Sequence, residues 1–386
     1  VDVAMDILDD ISTVTPLNNA ATNGAAAASS FVIAYRPPVP TFTSSSGGTT
    51  DAAQERNDVF RFTATYSQPV SGVVASDFGV SAGSLTVAES VAGSGTAWVL
   101  TLSMSTPNIV PQVVTVTTLD ASGAIVPLNE EGSNNGFSVS YDPPLPVLSS
   151  AMTAGTRRLA AHGDVINVDT LYFTATFDAA VSGVAVSDFN LDKGNLDVIK
   201  AVTPSSGTHT VFVLSVHVKG RGITDQTITV SMDEGSGVIS PKNEAAASSF
   251  ALEYRPPTPT FTSQHGTSGT EVNEPVFYFT ATYSTAVTGV TVDDFKLMAS
   301  DSGLTRYTTE LNQASSANAI KWVLKVTVLG PPSDVDFNVT TVSDSGSLSP
   351  NNAPATNNGF SILYRPPTPT FTSSNADHMG TTPSNV

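Results

Sequence analysis

The 386-residue chain contains no cysteine. That excludes disulfides, thiol catalysis and cysteine metal sites. Charged residues make up only 13%, about half the ordinary globular share, so Ser, Thr, Asn and Gly must supply most of the polar surface. Basic residues are scarce: 16 Lys and Arg stand against 34 Asp and Glu, for a net charge of −18. They are scattered, and no basic stripe exists to displace counterions from nucleic acid. Acidity of this kind favours solubility or cation binding. No apolar run reaches about 18 residues, the length of a helical membrane span. Histidines number five, none recurring in phase with the repeats described next, and no Gly-x-Ser-x-Gly elbow has a matching histidine. The chain therefore reads as a protein without catalysis.

What is present is repetition. "YRPPVPTFTS" (35–44), "YDPPLPVLSS" (141–150) and two identical copies of "YRPPTPTFTS" (254–263 and 364–373) recur about 110 residues apart, a domain-sized period rather than a solenoid one. Further landmarks keep that phase. "VFRFTATYS" (59–67), "LYFTATFD" (171–178) and "VFYFTATYS" (276–284) form one set. "VSGVVASDF" (70–78), "VSGVAVSDF" (181–189) and "VTGVTVDDF" (287–295) form the next. A Trp-Val-Leu element, a Val-Thr-Val element and a closing Gly/Ser-Phe element follow. Residues 36–141, 142–254 and 255–364 thus read as three whole domains. Residues 1–35 read as the C-terminal part of a preceding repeat, and 365–386 as the N-terminal part of a following one, so a longer array is expected.

The landmarks alternate with period two. Phe60, Phe62, Ala64 and Tyr66 share one face, as do Trp98, Leu100, Leu102 and Met104, which predicts half-buried antiparallel strands. Val, Thr, Phe and Tyr dominate them, and Gly, Asn, Ser and Pro clusters separate them. About seven strands per repeat predict an all-β chain of tandem immunoglobulin-like sandwiches. Trp98, Phe212 and Trp322 are expected to plug the three cores.

The phrase Phe-Thr-Ala-Thr-Tyr-Ser, then Val-Ser/Thr-Gly-Val and Asp-Phe, then a Trp-Val-Leu strand, resembles the repeats of bacterial immunoglobulin-like surface proteins. The likeness covers nearly all of 36–364. It implies a place in adhesin stalks, surface layers or extracellular fibres. The Tyr-x-Pro-Pro phrase departs from that pattern, and fold likeness does not fix function.

The Tyr-x-Pro-Pro phrases lie where one sandwich ends and the next begins: Tyr35, Arg36, Pro37 and Pro38; Tyr141, Asp142, Pro143 and Pro144; Tyr254, Arg255, Pro256 and Pro257; Tyr364, Arg365, Pro366 and Pro367. Paired prolines fix φ and restrict the preceding residue, so these phrases read as short, stiff joints rather than ligands for a proline-recognition module. Asp142 stands where the other copies carry arginine. Asp77, Asp188 and Asp294 precede a Phe in every repeat. Each either caps a turn or ligates calcium, and no Asp-x-Asp-x-Asp loop accompanies them. Asn338-Val-Thr340 is the one Asn-x-Ser/Thr sequon, a glycan acceptor if the chain passes through a eukaryotic secretory route. The segment 152–167 reads as an extended loop. No cofactor is implied beyond the calcium alternative. The expected role is a structural component of an extracellular fibre, filament or cell-surface stalk, with self-association or other filament subunits as partners. The alternative is an adhesin that binds glycans or proteins and whose repeats are spacers.

Overall fold

The computed structural model describes residues 2–6, 30–44, 53–105, 109–119, 125–150, 160–204, 206–219, 223–235, 237–300, 306–313, 320–329, 333–342 and 348–370. Strands β1 (Asp2–Asp6) and β2 (Ser30–Ala34) pair antiparallel near the start. Three sandwiches follow. The first holds β3 (Pro40–Ser44), β4 (Ala53–Glu55), β5 (Val59–Val70), β6 (Phe78–Ser81), β7 (Thr86–Ser105), β8 (Gln112–Thr118) and β9 (Phe137–Tyr141). The second holds β10 (Pro146–Ser150), β11 (Val165–Ile166), β12 (Thr170–Ser182), β13 (Phe189–Asp192), β14 (Asp197–Thr203), β15 (Thr208–Lys219), β16 (Gln226–Met232) and β17 (Phe250–Tyr254). The third holds β18 (Pro259–Ser263), β19 (Thr270–Val272), β20 (Val276–Tyr283), β21 (Phe295–Ala299), β22 (Arg306–Gln313), β23 (Lys321–Leu329), β24 (Val335–Thr341) and β25 (Phe360–Tyr364).

Sheet order makes the fold immunoglobulin-like. In the second sandwich one sheet runs β10-β12-β15-β14 and the other β11-β17-β16-β13. The third repeats that order as β18-β20-β23-β22 and β19-β25-β24-β21. This is the arrangement of a constant-type immunoglobulin domain. It carries one addition that the periodicity does not announce: a strand of two or three residues (β4, β11, β19) pairing parallel with the last strand. In the first sandwich, the edge strand and its neighbour run together as the 20-residue β7.

Alternation explains burial. In β20 the pattern from Val276 to Tyr283 switches residue by residue between half-buried and buried, so one face supplies Phe277, Phe279, Ala281 and Tyr283 to the core. The outward face of the same strand carries Thr280 and Thr282, opposite Thr262 and Thr260 of β18. Each sandwich has its own core, and edge-to-face aromatic pairs such as Phe60–Tyr141 and Phe279–Phe360 cross between its sheets. The expected plug is only partly so. Phe212 is buried, whereas Trp98 and Trp322 pack against the core margin. An indole N–H needs a polar partner, and Trp98 Nε1 donates to Gly95 O at 3.2 Å, which keeps that ring at the surface of the core.

Candidate functional site

The recurring geometry lies at the joints. Strand β9 ends in Tyr141, β17 in Tyr254 and β25 in Tyr364, and all three rings are buried. The next residue extends the parallel pairing by one bond. Asp142 N–H donates to Glu55 O at 2.9 Å, Arg255 N–H to Ile166 O at 2.8 Å and Arg365 N–H to Val272 O at 2.7 Å. Pro143, Pro144, Pro256 and Pro257 are buried; Pro38 is buried and Pro37 half-buried. After the prolines the chain is fastened to the following sandwich. Leu145 N–H donates to Asp178 Oδ1 and Thr258 N–H to Ser284 Oγ, as Val39 N–H does to Ser67 Oγ. Pro144 O accepts from Glu244 N–H and Pro257 O from Ala353 N–H. The expectation of a stiff polyproline spacer is thereby sharpened: each four-residue crossing (142–145 and 255–258) is hydrogen-bonded to both neighbours, and prolines occupy the positions with no N–H to satisfy.

A second set of contacts bridges sandwich to sandwich without using the crossing itself. Asp58 and Asp169 hold equivalent places, because their carbonyls accept from Met104 N–H and Val218 N–H at the same point in the fold. The carboxylate of Asp58 accepts from Lys242 N–H and from Ser240 Oγ–H. That of Asp169 accepts from Asn351 N–H at 2.6 Å and Ser349 Oγ–H at 2.8 Å. Thus a carboxylate at the end of one sandwich grips the Ser-Pro-Lys or Ser-Pro-Asn loop of the next, at two successive joints. The residue after each gripped loop, Asn243 or Asn352, is buried, and its amide donates to loop carbonyls. In the third sandwich Pro275 stands where the gripping aspartate would be.

The joints differ in charge. Between the first and second sandwiches, Arg56 Nη2 meets Asp142 Oδ2 and Arg56 Nη1 meets Asp178 Oδ2, both at 2.9 Å. Ile109 N–H also donates to Glu234 Oε2 at 3.1 Å. Between the second and third, Arg255 turns back to Glu253 of its own sandwich at 2.8 Å, and Asn351 Nδ2 donates to Val218 O at 3.2 Å. Arg365 pairs with Asp336 at 2.8 Å. Burial raises the Asp58 carboxyl above its ordinary range, partly offset by Lys242 and Ser240. Burial, then the charges of Asp142 and Asp178, raise Glu244.

The other sequence candidates do not gather at these joints. Asp77, Asp188 and Asp294 are buried at the ends of three-residue 3-10 turns. Their Oδ2 atoms accept from Val74, Ala185 and Thr291 N–H at 2.7, 2.7 and 2.6 Å. That is turn capping from within, three residues back. Among the described residues no three acidic or histidine side chains are grouped to hold a metal ion. Asn338 lies in β24, between β21 and β25. Of the extended loop 152–167, residues 152–159 lie outside the described residues, and Val165–Ile166 form β11. Residues 371–386, assigned to a following repeat, and residues 7–29 of the preceding one also lie outside them. No described helix is long and apolar enough to cross a membrane.

No family model matches the chain, and no curated protein matches it. Among solved structures, the Escherichia coli adhesin FdeC is 12% identical over 84% of this chain and 96% of its own, with a TM-score of 0.29. The S-layer protein SbsC is 10% identical over 86% of this chain and 55% of its own, at 0.18. The C-terminal domain of the Streptococcus agalactiae AgI/II polypeptide BspA is 9% identical over 56% of this chain and 100% of its own, at 0.24. At those scores the likenesses carry no argument. The class rests on sheet order and register: the chain is a tandem array of immunoglobulin-like β-sandwiches.

Proposed function

We propose that the chain is a mechanical element: three whole domains (36–141, 142–254 and 255–364) held in line as part of an extracellular fibre or stalk, without catalysis. The observation that carries this reading is the repeated grip, Asp58 on the Ser240–Lys242 loop and Asp169 on the Ser349–Asn351 loop. A spacer between independent binding modules needs only a flexible linker. Here each crossing is hydrogen-bonded on both sides, and a second contact fixes the neighbour's orientation. At each joint the backbone N–H bond is partly buried and the serine bond exposed. A bond to a charged acceptor is worth about 1.5–3 kcal/mol and less where water competes, so the pair together opposes bending. The low charge and Thr-rich outer faces suit packing beside other chains.

Negative-stain electron microscopy of the purified chain tests this. Straight particles of constant width are expected, with a rise of roughly 35–45 Å per domain from strands of about six residues plus loops. Bent strings of beads would contradict it.

A further inference from the structure

Edge strands invite pairing with other chains, and soluble proteins blunt them. This chain does so in three ways. The outer strands of one sheet in each sandwich are short, from two to five residues (β4, β6, β11, β13, β19, β21). Side-chain amides cover β3 and β18: Asn134 bonds both the N–H and the C=O of Phe42, and Asn357 does the same for Phe261. The third device is a charge placed in the core-side register of the opposite edge of that sheet, with its side chain exposed. In β14 Lys200 lies between Val198 and Val202, which face the core. In β7 Glu89 lies likewise between the core-facing Val87 and Val91. Either charge would be stripped of water by a strand added alongside.

Strand β22 occupies the same edge in the third sandwich. Leu311 and Tyr307 pack on the core, opposite Leu324 and Val328. The position between them is Thr309, which carries no charge. Eight residues, Arg306–Gln313, stand at the end of the sheet order with β23 as their one neighbour among the described residues. We propose that this unguarded edge is a lateral contact, and that it pairs antiparallel with β22 of a second copy of the chain.

Charge fixes the register. Antiparallel pairing about a two-fold axis at Thr308 sets Arg306 of each copy opposite Glu310 of the other. Both lie on the outward face, opposite Leu329 and Lys325 of β23; Glu310 already pairs with Lys325 at 3.1 Å and would be shared with the partner's Arg306. Opposite charges facing each other across strands are favourable and like charges are not. One residue of slip would turn Tyr307 and Leu311 outward. The contact is small, so each pair is weak, and several along an array reinforce one another. The pairing is independent of the joints: it can fail while the domains remain in line, and the reverse.

Sedimentation equilibrium of the full chain tests it. Wild type is expected to move from 39.8 kDa toward twice that mass as concentration rises, and a monomer up to about 1 mM overturns the proposal. Thr309→Lys installs the guard that β14 already tolerates. It is expected to stay monomeric with its thermal unfolding unchanged; a folded T309K that still dimerises overturns the proposal. Arg306→Glu and Glu310→Arg should each be monomeric alone and form a mixed dimer when combined, because the swap restores both cross-strand pairs. A folded mixture that remains monomeric rules out this register.

Discussion

The Arg56 guanidinium is shared by two carboxylates, Asp142 in the first crossing and Asp178 in the sandwich beyond it, at 2.9 Å each. The second crossing has Arg255, Ser284 and Asn167 at the corresponding places. The aspartate that breaks the Tyr-Arg-Pro-Pro phrase is therefore matched by an arginine elsewhere in its joint.

Asp142→Arg alone restores the phrase but puts two guanidiniums together. It is expected to loosen the first joint by about 1 kcal/mol, the scale of partly exposed ion pairs, with little change in either domain. Arg56→Asn with Asp142→Arg imitates the second joint and should recover the loss. NMR relaxation, read as independent tumbling of the first two domains, checks both.

The first joint should weaken as pH rises from mildly acidic values. Asp58 and Glu244 have carboxyls raised from 3.8 and 4.5. The docked state therefore binds more protons than the unfolded chain between those values and the raised ones, so its stability falls as pH climbs through that window. Thermal unfolding of wild type should lose ground to an Asp58→Asn, Glu244→Gln variant as pH rises above the ordinary carboxylate range. Parallel curves would refute the assignment.

Asp294 accepts from Thr291 N–H at 2.6 Å and from its hydroxyl at 3.2 Å. Burial raises its carboxyl, the Thr291 bonds partly offset this, and Asp293 adds to it. Asp294→Ala should cost the third domain roughly 1–2 kcal/mol, as lost caps do. If Asp77, Asp188 and Asp294 are caps, calcium and a chelator should give the same melting curve. A calcium-dependent rise in Tm would instead support a cation site.

The tyrosines that close the sandwiches act by bulk. Tyr141 and Tyr254 hydroxyls have no protein hydrogen-bond partner among the described residues, and burial pushes both phenols up. Tyr254→Phe should leave stability unchanged or raise it, because it removes a desolvated hydroxyl. Tyr254→Ala should cost about 3–5 kcal/mol, as a large cavity does. Calorimetry of the second domain distinguishes them.

Much of the fold was legible because it repeats. Alternation in "VFYFTATYS" names the buried face of β20 outright, and the phase of the tyrosines marks where each last strand ends. The two-residue β11 was not legible: two residues carry no periodicity, and its pairing with β17 spans most of a domain. The grip was harder still. Asp58 and Asp169 precede equivalent strands, but Pro275 breaks the series, and their partners lie 180 or more residues away in the chain. The Pro-x-Asn recurrence at Asn243 and Asn352 was the visible trace of the gripped loops, and Asn129 holds the same place in the first sandwich. The capping of Asp77, Asp188 and Asp294 was readable, because a cap needs only neighbours three residues away.

Small-angle scattering of the full chain, wild type against Asp58→Ala with Asp169→Ala, tests the central claim most directly. The wild type is expected to scatter as one extended particle. The double variant should show a shorter mean dimension and a broadened distance distribution while each domain's unfolding is unchanged. Identical curves would contradict the claim that these two carboxylates hold the domains in line.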